Sequence, residues 1–121
     1  MKLVLVSTPE LIIPCGPTGN SMISLIASPA GTPISGAVVP TVDTTMFVDG
    51  FPVCTKITIE LAYYPSGSTT ASYENIAING TSLFSTINNT PIILMGDSGV
   101  GSTSGIQAKV ISCGQTSTSV D

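Results

Sequence analysis

The side chains with most chemistry to offer are three cysteines, Cys15, Cys54 and Cys113, and the run Gly96-Asp97-Ser98-Gly99-Val100-Gly101-Ser102-Thr103. A thiolate is a nucleophile and a soft metal ligand. Three of them could converge on one zinc or iron ion, with a carboxylate, a water or a cysteine from another chain in the fourth position. Equally, a free cysteine is commonly a small buried hydrophobe. The spacing leaves both readings open, because no CxxC pair occurs. Three cysteines cannot all pair within one chain, so a disulfide framework is not expected.

The glycine-rich run has the outline of a phosphate-cradling loop after the apolar stretch 92–95. Ser102 stands where that loop needs a lysine, and Gly105 follows where a helix should begin, so nucleotide binding is not expected. Gly96-Asp97-Ser98-Gly99 also copies the nucleophile region of trypsin-like proteases. Those enzymes need a histidine to take the serine proton, and this chain has none. Asp43-Thr44-Thr45 and Asp97-Ser98-Gly99 could be imagined as the paired carboxylates of an aspartic protease, but only the second has the required glycine. Aspartate in such company is more simply a turn residue. No catalytic residue is assigned, and the chain is expected not to be an enzyme.

The elements that must position these groups read as strands. Met46-Phe47-Val48-Asp49-Gly50-Phe51-Pro52-Val53-Cys54 places Asp-Gly between two apolar arms, the signature of a tight hairpin with a type I′ turn. Ile76-Ala77-Ile78-Asn79-Gly80-Thr81-Ser82-Leu83-Phe84 repeats the pattern with Asn-Gly and predicts a second hairpin. Between them, Lys56, Thr58 and Glu60 alternate with Ile57, Ile59 and Leu61, a strand with one wet and one dry face. Further short strands are expected over 3–6, 11–13, 22–27, 91–95 and 106–112, separated by glycine and proline clusters, with 115–121 as a loose polar tail. The fold class is all-β, in one domain spanning 1–121.

Composition narrows the partners. Only 8% of the residues are charged, against about a quarter in ordinary soluble domains, and mean hydropathy is +0.50. A chain so poor in charge is suited to being covered by partners. The net charge of −4, with Lys2, Lys56 and Lys109 scattered, argues against nucleic acid. No apolar run is long enough for a membrane-spanning helix. Residues 1–6 begin like a secretory signal, but Ser7-Thr8-Pro9-Glu10 ends the apolar stretch too early. The chain is expected to be made and kept without export through that route.

Met46 to Cys54, with its strand, Gly and apolar-Pro-Val order, and Pro40-Thr41-Val42-Asp43 before it resemble the PAAR and PAAR-like spike-tip proteins of contractile injection systems. These include type VI secretion machines, extracellular injection particles and contractile phage tails. Cys15-Gly16 with Ser24-Leu25, then Gly105-Ile106 and Gly114-Gln115, are similar to further features of the PAAR-like branch. The resemblance implies a compact cone or wedge of short β-hairpins on a trimeric β-helical spike, one tip per trimer. It also implies transient contact with a target cell envelope, room for an effector, and location in a phage tail or injection particle. PAAR proteins proper hold a metal with His and Cys. Without histidine, Cys15, Cys54 and Cys113 are the ligands left for zinc or iron. The rival expectation is an all-β virion decoration or fibre protein, which would self-associate symmetrically.

Overall fold

The computed structural model describes residues 1–82 and 86–120. Among these there is no helix, and ten strands follow in order: β1 (Lys2–Leu3), β2 (Ile23–Ile26), β3 (Gly31–Val48), β4 (Phe51–Pro65), β5 (Ser72–Asn79), β6 (Thr86–Ile87), β7 (Thr90–Pro91), β8 (Ser98–Val100), β9 (Gln107–Val110) and β10 (Ser119–Val120). The all-β class read from the sequence is the class of the fold.

The hairpin of β3 and β4 is the largest element. Asp49 and Gly50 take φ of 54° and 85° and close it between Val48 and Phe51, as the Asp-Gly pair predicts. Its arms are far longer than the short strands expected, 18 and 15 residues. Pro33 and Pro40 do not end β3, because β3 is an edge strand of the sheet β3-β4-β5 and proline is tolerated there. Three register shifts, after Pro33, Thr41 and Asp43, let the hairpin bend. The alternation in β4 places Ile57, Ile59, Leu61 and Tyr63 in the core and leaves Lys56, Glu60 and Tyr64 outside.

A second sheet, β2-β9-β8, faces the first across the core. At one side β8 lies against β5 so closely that a Cβ on Gly99 would sit 2.0 Å from the Ala77 carbonyl oxygen. At the other, backbone bridges Ser24 to Gly19, Gly19 to Gly16 and Cys15 to Gly36 carry the contact from β2 back to β3. The enclosed core holds Ile23, Leu25, Ile57, Ile59, Ile76, Ile78 and Ile106, each contributing about 1.5–3 kcal/mol by burial. A smaller core of Val4, Val6, Val48, Val53, Ile92 and Leu94 supports the hairpin tip.

Several sequence expectations are corrected. No hairpin turns at Asn79-Gly80: β5 ends at Asn79, and Gly80 is not among the positive-φ residues. Its glycine serves close approach instead, since a Cβ there would lie 2.1 Å from the Pro91 carbonyl oxygen. Leu83 and Phe84, the far arm of that expected hairpin, lie outside the described residues. The left-handed pair falls at Asn88 and Asn89, with φ of 51° and 63°, joining β6 to β7. Of the strand expected over 91–95, only Pro91 joins a strand, although Ile92, Ile93 and Leu94 are all buried.

Residues 11–13 form a turn and not a strand. The Asn20 carboxamide donates to the carbonyls of Leu11 and Ile13 and accepts from the amides of Met22 and Ile23, which satisfies the loop backbone without a ladder. The C-terminal segment expected to be loose is tied down over 115–120. Gln115 is buried and donates to the carbonyls of Val4 and Thr118, both at 2.8 Å, and β10 pairs with β1. The Gln115 carboxamide supplies this order by bonding backbone both three residues on and at the far end of the chain, where composition alone suggested freedom.

Candidate functional site

All three cysteines are free and buried within the main core. Cys54 lies on β4, where its amide donates to the Leu5 carbonyl and its carbonyl accepts from Ile93. Cys113 follows β9; its carbonyl accepts from the Val6 amide and its thiol donates to the Leu3 carbonyl at 3.4 Å. The N-terminal segment 3–6 thus threads past both. Cys15 is held by two backbone bonds to Gly36. Among the described residues, no three His, Cys, Asp or Glu side chains are grouped to hold a metal ion, so the ligand set Cys15, Cys54 and Cys113 is not assembled in this arrangement.

The thiols are also poor thiolates. Burial pushes the Cys54 pKa up to about 12, with the neighbouring Cys113 adding to it. Burial first, then the Asp97 carboxylate, raises Cys113 to about 11. Burial raises Cys15 too, with the Asn20 backbone amide working against it. A metal ligand or nucleophile needs the opposite shift.

The glycine-rich run is occupied from within. Leu94 to Asp97 is a turn with Gly96 at φ 90°, and the Asp97 carboxylate accepts from the Leu94 amide at 2.8 Å and from the Thr81 hydroxyl at 2.5 Å. Asp43 instead accepts from the amide and hydroxyl of Thr45. Asp97 is thus committed to a turn, as its sequence context suggests, whereas Asp43 lies within β3, paired with Val53 at the register shift that precedes Phe47. At the end of the run the Glu74 carboxylate accepts from the amides of Thr103 and Ser104, both at 3.1 Å, and from the Ser104 hydroxyl. Gly101 passes so close that a Cβ would lie 2.0 Å from Glu74 Oε1. Sequence reading missed Glu74, whose partners are about thirty residues away.

Partial desolvation pushes the Glu74 carboxyl up, but the bonds from Ser104 and Thr103 together outweigh it and hold its pKa below the usual 4.5. A lowered folded-state pKa stabilises above the unfolded value, and that contribution is lost as pH falls through the folded value. Glu74→Gln is therefore expected to cost about 1 kcal/mol at pH 7. It should speed amide exchange at Thr103 and Ser104, and the parent's exchange rates should approach the variant's as pH falls through the lowered folded-state pKa of Glu74. Equal exchange at pH 7 would show that the carboxylate does not hold the loop.

The outer face of β3-β4-β5 is an open surface. By register its rows include Ser35, Ala62 and Tyr73; Ala37, Glu60 and Asn75; Val39, Thr58 and Ala77; and Thr41, Lys56 and Asn79. Lys56 and Glu60 are the charged residues on these rows, while Val39 and Tyr73 are 47% and 78% exposed. The alternation in β4 was legible in the sequence. That its wet face would extend over three strands with so few charges was not, because the pairing partners lie far along the chain. A scan against protein-family models and searches of curated proteins and of solved structures find no match to this chain.

Proposed function

We propose that this chain is a non-enzymatic structural subunit that docks onto a larger β-rich assembly, and specifically that it caps a trimeric β-helical spike as its membrane-piercing tip. The observation that carries the reading is the open three-stranded outer face, on whose paired rows Lys56 and Glu60 are the charged residues and balance each other. Depletion of charge marks interface cores, and a sheet face of this kind can pack on another sheet at about 10 Å. The edge of β3, bridged among the described residues by Cys15, adds a backbone template for strand pairing. The choice of a spike rests on the resemblance of residues 40–54 and of Cys15-Gly16, Gly105-Ile106 and Gly114-Gln115 to spike-tip proteins. No described helix is long and apolar enough to cross a membrane.

Native mass spectrometry with a trimeric β-helical spike protein tests the proposal. One copy per trimer is expected, and a double charge on the face, Val39→Lys with Ala77→Lys, should abolish the complex while far-UV circular dichroism stays unchanged. A homotrimer or a self-assembled lattice in place of that complex would defeat the spike reading and favour a fibre or decoration protein.

A further inference from the structure

One end of the same sheet opens into a cleft of about 460 Å³ between residues 28–32 and 64–69. We propose that this cleft binds a neutral saccharide. The inference is independent of whether the chain caps a spike, because it rests on the cleft's own walls.

Those walls are fixed by backbone. Ser28 and Gly31 exchange amide bonds, Gly31 pairs with Pro65, and the Ser66 amide donates to the Ala30 carbonyl. The Ser68 amide closes a turn on the Pro65 carbonyl, with Gly67 at φ 76°. The Ser28 hydroxyl is used in this framework, donating to the Ser104 carbonyl and accepting from the Ala30 amide. Among the described residues, the hydroxyls of Thr32, Tyr64, Ser66 and Thr69 make no hydrogen bond within the chain, and all four line the cleft.

The lining contains no charged side chain. An ionic ligand would lose hydration without gaining a partner, which disfavours phosphates, amines and carboxylates. A wholly apolar ligand would cover the four hydroxyls and leave them unpaired. What remains is a neutral molecule with an apolar face and a rim of donors and acceptors. Pyranose rings have that division, with C–H groups on the face and hydroxyls around the edge. The Tyr64 ring, 42% exposed, and the rings of Pro29 and Pro65 offer the apolar surface. The volume lies within the range of small-molecule sites.

The test is amide chemical-shift titration of the full chain with maltotriose, cellotriose and chitotriose to millimolar concentration. A pull-down on cellulose and chitin distinguishes a free oligosaccharide from a polymer-borne one. Perturbation centred on Gly31, Thr32, Ser66 and Gly67 by at least one trisaccharide is expected. Tyr64→Ala should weaken it about tenfold or more, the scale of one lost ring contact, and Tyr64→Phe by less. Tyr73→Ala, on the same sheet face but outside the cleft lining, should leave binding unchanged and shows that the fold tolerates loss of an exposed tyrosine there. The proposal is overturned if no trisaccharide perturbs these amides, if triglycine perturbs them equally, or if Tyr64→Ala binds like the parent.

Discussion

Gly99→Ala is expected to cost about 3 kcal/mol or more, lowering Tm by roughly 12 °C or more for a domain of this size. The added methyl would stand 2.0 Å from the Ala77 carbonyl oxygen and 2.9 Å from its carbonyl carbon. Both are backbone atoms, so no rotamer change relieves the contact. β8 must part from β5, and with it one of the two seams that close the sheets over Ile76 and Ile106. Gly67→Ala is the control: nothing lies within 4 Å of its Cβ position, and only the left-handed φ of 76° is strained. That variant should lose about 1 kcal/mol and fold normally. Thermal melts of the three proteins decide the matter. Equal melting temperatures for Gly99→Ala and Gly67→Ala would show that β8 does not rest on β5.

Gly99 also marks where sequence reading stops. Glycine announces itself locally when a turn needs positive φ, as Asp49-Gly50 does, because the neighbours on both sides carry the hairpin pattern. Glycine at a seam gives no such sign. The atom that excludes a Cβ at Gly80 or Gly99 belongs to Pro91 or Ala77, and nothing in adjacent residues names it. For that reason Asn79-Gly80 reads as a turn and is a close approach. The same limit explains the candidate site. The alternation of Lys56 to Leu61 fixes one strand's inner and outer faces, yet the width of the outer face depends on Ala37, Val39, Asn75 and Ala77 arriving in register. Glu74 looks like an ordinary strand carboxylate until the loop at 101–104 folds onto it. Asp97, by contrast, was readable as a turn residue, since its partner Leu94 is three positions away.

Raising the pH should unfold this protein well before a typical neutral domain would yield. In the unfolded chain each thiol ionises near 9.0, whereas burial holds Cys113 at about 11 and Cys54 at about 12 in the fold. The folded state therefore binds more protons than the unfolded state above pH 9. Stability is fully present below that value and is lost as pH rises toward the folded values. Each thiol contributes a slope of about 1.4 kcal/mol per pH unit across this window. Cys54 and Cys113 together should thus remove on the order of 4 kcal/mol between pH 9 and pH 11, a large part of the stability of a small domain. The informative measurement is the difference between variants. Urea midpoints of the parent, Cys54→Ala, and the Cys54→Ala/Cys113→Ala pair are compared at pH 8 and pH 10.5. At pH 8 the substitutions should destabilise, because each opens a small cavity in the main core that these sulfurs share with Leu5 and Ile93. At pH 10.5 that disadvantage should shrink or reverse, most for the double variant. The native thiols should meanwhile resist a disulfide reagent at pH 8 and react on denaturation. A pH response identical in all three proteins, or rapid labelling of the folded chain, would mean that these sulfurs are not held as neutral core groups.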